Sequence, residues 1–247
     1  MVRKIAIEDL ENYVAANILV FHQKRLERLE RLELKEILSR KNPYLFKAKN
    51  ILTAQDLIKT LLDAYLSSQE ESIFGHFLEG LAIFVNTVVF QGKKSSAEGI
   101  DLEFERDRIK YIVSIKSGPN WGNNSQINKM RDNFKKARKI LGANVSKTQI
   151  VAVNGCCYGK DDQPDKGDYL KLCGQRFWEF VSGDPEFYTK IIEPLGHEAK
   201  EKNEEFIDSY AALINNLTME FGKEFCINGK IDWVALVKFN SAAKAKK

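Results

Sequence analysis

The stretch Gly99-Ile-Asp-Leu-Glu-Phe-Glu-Arg-Asp-Arg-Ile-Lys-Tyr-Ile-Val-Ser-Ile-Lys-Ser-Gly118 decides the fold class. From Ile100 to Glu105 apolar and polar residues alternate strictly, the period of two that a half-buried strand requires. Arg106-Asp107-Arg108 reads as a turn and Ile109 to Ile115 as a second β-rich run, so the pair forms a hairpin. Downstream, Ser117 to Ser125 has the composition of a loop, and Gln126 to Leu141 is a basic amphipathic helix ending at Gly142. Thr148 to Val153 is a short buried strand and Tyr169 to Leu172 another. Upstream of the hairpin, Gln91 to Gly99 reads as loop.

The flanks carry the helical period. Ile7 to about Ser39 reads as one helix, which Asn42-Pro43 breaks. Thr53 caps a second helix through Leu66, and a third runs from Glu70 to Val88. After Gly174, Arg176 to Ser182 ends a helix at Gly183, Pro185 opens another through Ile192, and a long helix covers His197 to Phe221. No stretch has the composition of an interdomain linker. The simplest account is one α/β domain over 1–247: a helical subregion at 1–70, a core at 71–175 and a mainly helical part at 176–247.

Composition narrows the function. With 247 residues, 44% of them hydrophobic, the chain can bury a sizeable core and is not disordered. No apolar run approaches the ~20 residues that span a bilayer, and the first residues hold no secretory stretch, so a cytoplasmic protein with no membrane partner is expected. The cysteines Cys156, Cys157, Cys173 and Cys226 and the histidines His22, His76 and His197 fit no zinc spacing. The net charge of +4 is small. Yet between Lys116 and Gly142 seven basic residues face a single acid, Asp132. That local surplus is the kind that attracts a polyanion.

Chemistry gathers at the hairpin ends. Asp101 opens one strand, while Ser114 and Lys116 share a side at the end of the other because side chains alternate. An acid and a lysine at paired strand ends, joined by a carboxylate from a preceding helix, can hold a divalent cation beside a phosphodiester. In order, the helix with Phe74-Gly-His-Phe-Leu-Glu79, Gly99-Ile-Asp-Leu-Glu-Phe104, Ser114-Ile-Lys-Ser-Gly118, the basic helix and Gly174-Gln-Arg-Phe-Trp-Glu-Phe-Val-Ser-Gly-Asp184 resemble the PD-(D/E)xK type II restriction endonucleases. The similarity is to a branch that cuts short GC-containing palindromes, and Lys41-Asn-Pro-Tyr44 belongs to it too.

The resemblance implies a restriction-endonuclease-like core with a central mixed β-sheet flanked by helices and helical additions at both ends. It also implies Mg²⁺-dependent hydrolysis of duplex DNA, with Mn²⁺ able to substitute, a homodimer, and no organic cofactor. Carried over, Asp101 is the metal-binding aspartate, Lys116 the lysine and Glu79 the helical glutamate. Ser114 stands where the motif has Asp or Glu, and Ile100 where it often has proline. Glu79, Glu103 and the carbonyl of Ile115 are candidate compensating ligands.

For DNA contact the candidates are Lys93 and Lys94, then Asn120, Trp121, Asn123, Asn124 and Gln126 in the loop after Lys116, and Lys129, Arg131 and Lys135 on the basic helix. The loop residues are equally ordinary turn chemistry, with Trp121 as an anchor. Phe177, Trp178 and Phe180 read as core, and Asn154-Gly-Cys-Cys-Tyr-Gly159 has no assigned role. Two further readings stay open: a structure-specific repair or recombination nuclease of the same fold, and a DNA-binding protein with a decayed site.

Overall fold

A computed structural model describes residues 4–142, 149–196 and 199–243. Helices α1 (Ile7–Glu30), α2 (Leu34–Arg40), α3 (Pro43–Ala48) and α4 (Ala54–Phe90) come first. Strands β1 (Lys93–Lys94), β2 (Leu102–Arg106) and β3 (Ile109–Lys116) follow, then α5 (Asn124–Gly142), β4 (Gln149–Cys156) and β5 (Leu170–Cys173). The chain continues through α6 (Gln175–Ser182), α7 (Phe187–Lys190), α8 (Ile192–Leu195), α9 (Ala199–Phe225), β6 (Cys226–Ile227), β7 (Lys230–Ile231) and α10 (Trp233–Ser241). Two compact units result: Met1–Phe21 with Ser72–His197, and His22–Glu71 with Glu198–Lys247.

The first unit holds a five-stranded mixed sheet in the order β1-β2-β3-β4-β5. The hairpin closes with Arg106 opposite Ile109. Asp107 and Arg108 both take positive φ, 54° and 64°, the two-residue turn whose twist matches its strands. β3, β4 and β5 run parallel, and α5 makes the crossover between β3 and β4. One sheet face, with Leu102, Phe104, Val113, Ile115 and Val153, packs on Leu10, Val14 and Ile18 of α1, on the C-terminal half of α4, and on Phe177 to Val181. The other, with Ile112 and Ala152, packs on Met130, Phe134 and Ala137 of α5. This is the expected α/β class, a mixed sheet flanked by helices. Phe177, Trp178 and Phe180 are buried in it.

The second unit is helical around Leu29, Leu34, Ile37, Leu57, Ile58, Leu62 and Phe221, with the β6–β7 hairpin beside α10. Here the structure corrects the expected helix from Ile7 to Ser39. The chain turns at Arg31–Glu33, because Leu32 and Leu34 are both buried. Two positions apart on one continuous helix they point ~200° apart and cannot share a core. Asn42-Pro43 does more than break a helix: Asn42 Oδ1 accepts from the Tyr44 and Leu45 N–H groups and opens α3 with proline at its first turn.

The two helices expected over residues 53–88 are one, α4, of 37 residues. Thr53 caps it as expected, its hydroxyl accepting the Asp56 N–H at 3.1 Å and donating to the Asp56 carboxylate at 2.7 Å. Uninterrupted at Ser67-Ser68-Gln69, α4 is the one described helix long and apolar enough, by length and composition, to cross a membrane. Its apolar side chains are placed in the cores of both units, Leu57 to Leu66 in the second and Phe77 to Val89 in the first. At the chain's later end His197 lies outside the described residues, and the long helix runs Ala199–Phe225. Thr148 lies outside them as well, as does the Lys244–Lys247 tail.

Candidate active site

The site lies beyond the carboxyl end of β3, where open α/β sheets bind their ligands. Asp101 sits one residue ahead of β2 and is tied twice to β3. Its N–H donates to Val113 O at 2.8 Å, and its Oδ2 accepts the Ile115 N–H at 2.6 Å. The carboxylate thus stands where a ladder carbonyl would be and ends the pairing. Ser114, 2% exposed, stands beside it on β3 and favours its charged form. The residue found where the motif has an acid therefore supports the aspartate.

Glu79 projects from α4 toward this end of the sheet. Burial first, and then the Asp101 charge, hold the Glu79 carboxyl above its usual range, with Lys94, His76 and Lys116 opposing. Burial likewise raises Asp101, against the Ile115 N–H, Lys116, Lys94 and Ser114. Two half-buried acids therefore lean on one another under the field of two lysines, and neither forms an ion pair within 4 Å of a lysine among the described residues. Cys157 also feels Glu79: burial, then that charge, push its thiol up to about 12.

Lys116 ends β3. Its Nζ lies 5.3 Å from the centre of the Trp121 ring, and its carbonyl accepts the Cys157 N–H at 2.9 Å, carrying the β3–β4 ladder one step further. Trp121 is anchored, not free in its loop. Its indole N–H donates to Asn154 Oδ1 at 3.1 Å, and its ring leans on the cluster of Ile100, Ile112, Met130 and Phe134. Sequence reasoning left Asn154-Gly-Cys-Cys-Tyr-Gly159 without a role. Here Asn154 clasps Trp121, Gly155 leaves no room for a Cβ beside Phe177, and Cys157 O accepts the Trp178 indole N–H.

Other candidates are drawn elsewhere. Glu103, 7% exposed, turns to Lys93 at 3.2 Å and Lys110 at 3.5 Å. The expected shared face with Asp101 does not hold, because Asp101 precedes the strand and its carboxylate points into the ladder end. Lys93 and Lys94 separate likewise, as neighbours in a strand do: the first serves Glu103, the second sends its field to Asp101 and Glu79. Asn123 and Gln126 cap each other across the start of α5, at 3.1 and 2.9 Å. Asn120 and Asn124 are exposed.

On α5, Arg131 pairs with Asp168 at 3.5 Å over the Tyr169 ring, and Lys135 with Asp132 at 3.6 Å. Lys129 is exposed and has no such partner among the described residues. Four groups missed by sequence reasoning bear on the site: Lys94 as a charge beside the acids, His76 3.9 Å from Glu79, Asn154, and Lys171, which donates to Pro119 O at 3.0 Å. Only His76 had a signal, three residues before Glu79 on a helix.

The donor chemistry fits a hard divalent cation. Glu79 and Asp101 offer oxygen, the Asp101 charge bears on Glu79, no lysine lies within 4 Å of either among the described residues, and the Ile115 carbonyl lies at the same strand end. Among the described residues no three of His, Cys, Asp and Glu gather as a ready metal cage. That suits an ion that keeps several waters and takes part of its shell from substrate phosphate.

A mixed sheet of this order, with an acid entering β2, a lysine leaving β3 and a glutamate on the helix behind, defines a restriction-endonuclease-like core. The family model for the type II restriction endonuclease EcoO109I matches residues 8–203. The chain belongs to that family: it is a type II restriction endonuclease, a site-specific deoxyribonuclease acting on DNA, in a family that generally uses divalent metal ions. No curated protein matches it.

Proposed function

We propose that this restriction endonuclease cuts duplex DNA at a short palindrome with Mg²⁺, as a cytoplasmic homodimer with one active site per strand. The observation that carries the reading is the convergence of Glu79 and Asp101, both held above their ordinary range, at the strand end that carries Lys116. Asp101, Glu79 and the Ile115 carbonyl would hold the ion. When bound, it polarises the phosphoryl oxygen and lowers the pKa of an attacking water. The Ile115 N–H holds Asp101 Oδ2 at the strand end, a placement from which its carboxylate would serve as a ligand.

Lys116 orients the water and offsets the negative charge that grows on the non-bridging phosphate oxygens. In-line attack on phosphorus with departure of the 3′ oxygen leaves a 5′-phosphate. Lys94, Asn120, Asn124, Lys129 and Lys135 face the DNA backbone around the cut. Glu103 and Lys93 neutralise one another and serve the fold.

The test is digestion of a long defined DNA with Mg²⁺, with the fragment ends sequenced, for wild type, Asp101→Ala and Lys116→Ala. Discrete fragments with symmetric ends from the wild type, and none from either variant at retained DNA affinity, are expected. Cutting at the wild-type rate by both variants would overturn the site. Junction-dependent or unspecific cutting would favour a repair-type activity, and binding without cleavage a decayed site.

A further inference from the structure

Asn154 lies two residues from the end of β4 and is 1% exposed. It sits in register beside Ser114 of β3. Both ends of its amide are used: Nδ2 donates to Ser114 O at 3.2 Å, and Oδ1 accepts the Trp121 indole N–H at 3.1 Å. These partners fix the amide's orientation. Reversed, it would set donor against donor at the indole and acceptor against acceptor at the carbonyl. A buried polar group left unmatched costs ~1–3 kcal/mol.

Trp121 in turn carries Lys116, whose Nζ lies within cation–π range of the ring. The loop between them is held at a second point by Lys171 on Pro119 O. Gly118 lies so close to Tyr158 that a Cβ there would clash. Lys116 thus rests on an aromatic surface whose place is set from the neighbouring strand, while Asn154 is turned inward to its two partners.

We propose that Asn154 is a positioning residue for Lys116, acting through Trp121: it locks the indole that supports the ammonium at the scissile phosphate. This rests on the reading of Lys116 as catalytic. Misplacing a reacting group by about 1 Å costs up to ~10²-fold in rate. Loss of the clasp should therefore slow the cleavage step while leaving DNA affinity, a sum of many backbone contacts, nearly unchanged.

The experiment measures single-turnover cleavage with Mg²⁺, and DNA affinity with Ca²⁺, for wild type, Asn154→Leu, Trp121→Phe, the double variant and Lys116→Ala. Asn154→Leu removes both hydrogen bonds at similar volume, and Trp121→Phe removes the N–H together with one ring of the indole while keeping an aromatic face for the ammonium. Each should lose ~10- to 100-fold in rate with affinity within about threefold. The double variant should be no slower than the worse single one, because both cut the same link. Wild-type rates in both single variants, equal losses in rate and affinity, or additive losses would overturn the proposal. If Asn154→Leu does not fold, Trp121→Phe decides by the same rate and affinity criteria. Should Lys116→Ala itself cut normally, the reading of the site fails; if it is dead while the other variants cut normally, only the role of Asn154 fails.

Discussion

Asp101 and Glu103 stand two residues apart and end in opposite situations. Glu103 is almost fully buried, yet Lys93 and Lys110 close on it from two sides. Asp101 is more accessible and meets no lysine within 4 Å among the described residues; burial holds it above its ordinary range, and its charge adds to the burial that raises Glu79. Burial alone therefore does not distinguish the proposed catalytic acid. What distinguishes it is a pair of carboxylates with no lysine within 4 Å among the described residues, a state that a divalent ion and a phosphate would relieve. The same contrast separates Lys94 from Lys93, neighbours in sequence on opposite sides of one short strand.

The largest effect that would break this contrast is on activity. Asp101→Ala and Lys116→Ala should each lower cleavage by roughly 10²–10³-fold or more, the scale for removing a group that stabilises developing charge. Glu103→Gln should cleave within about threefold of wild type and instead lower stability in urea by about 1–3 kcal/mol. It strands two lysines, but Lys93 is 75% exposed and readily rehydrated. Cleavage lost in Glu103→Gln at unchanged stability would move the metal site onto β2 and end the comparison.

A smaller effect concerns stability without metal. Glu79 and Asp101 hold their protons more tightly folded than unfolded, so the folded state binds more protons as pH rises through their range. Their contribution is full below the ordinary carboxylate values and is lost as pH rises through the raised folded ones. Metal-free protein should therefore melt at lower temperature at pH 7 than at pH 5. Glu79→Gln should flatten that slope and raise Tm at pH 7 by about 2–4 °C, a change of ~1 kcal/mol for a chain of this size. Saturating Mg²⁺ should raise the wild-type Tm and not that of Asp101→Ala. A Glu79→Gln protein less stable than wild type at pH 7 would mean that the acids are not in conflict.

The hairpin was legible because strict alternation from Ile100 to Glu105 followed by a second β-rich run leaves few alternatives. Its turn is tighter than the sequence suggests, since Arg106 pairs with Ile109, and the parallel order of the later strands carries no local signal. The helical bounds were less legible. Leu29, Leu32, Leu34 and Ile37 satisfy a loose helical spacing, and only the need to bury both Leu32 and Leu34 breaks it. Nor does Ser67-Ser68-Gln69 carry a breaker strong enough to stop α4. At the candidate site, Glu79, Asp101 and Lys116 are proposed because the motif the chain resembles carries them. Asn154 could not be named in that way, since its meaning depends on a register partner forty residues away and an indole from a third segment. Glu103 misled because period-two alternation holds within a strand, and Asp101 stands just outside one.

The smallest effects divide the basic helix by the same rule of satisfied and unsatisfied charge. Arg131 is engaged by Asp168 and stacked over Tyr169, and Lys135 is paired with Asp132, although that pair is solvent-exposed and weak. Lys129 is exposed without such a partner among the described residues. If unpartnered charge faces DNA, Lys129→Ala should weaken binding a few-fold across all sequences and reduce the slope of log affinity against log salt by about one. Arg131→Ala should leave that slope nearly unchanged and lower Tm slightly as the Asp168–Tyr169 segment loses its tie. Asn123→Ala, which removes half of a reciprocal cap, should cost about 1 kcal/mol of stability with affinity within twofold. Were the slope to fall for Arg131→Ala and not for Lys129→Ala, the ion pair with Asp168 would be one that DNA displaces, and pairing within the free protein would no longer separate structural from DNA-facing charge.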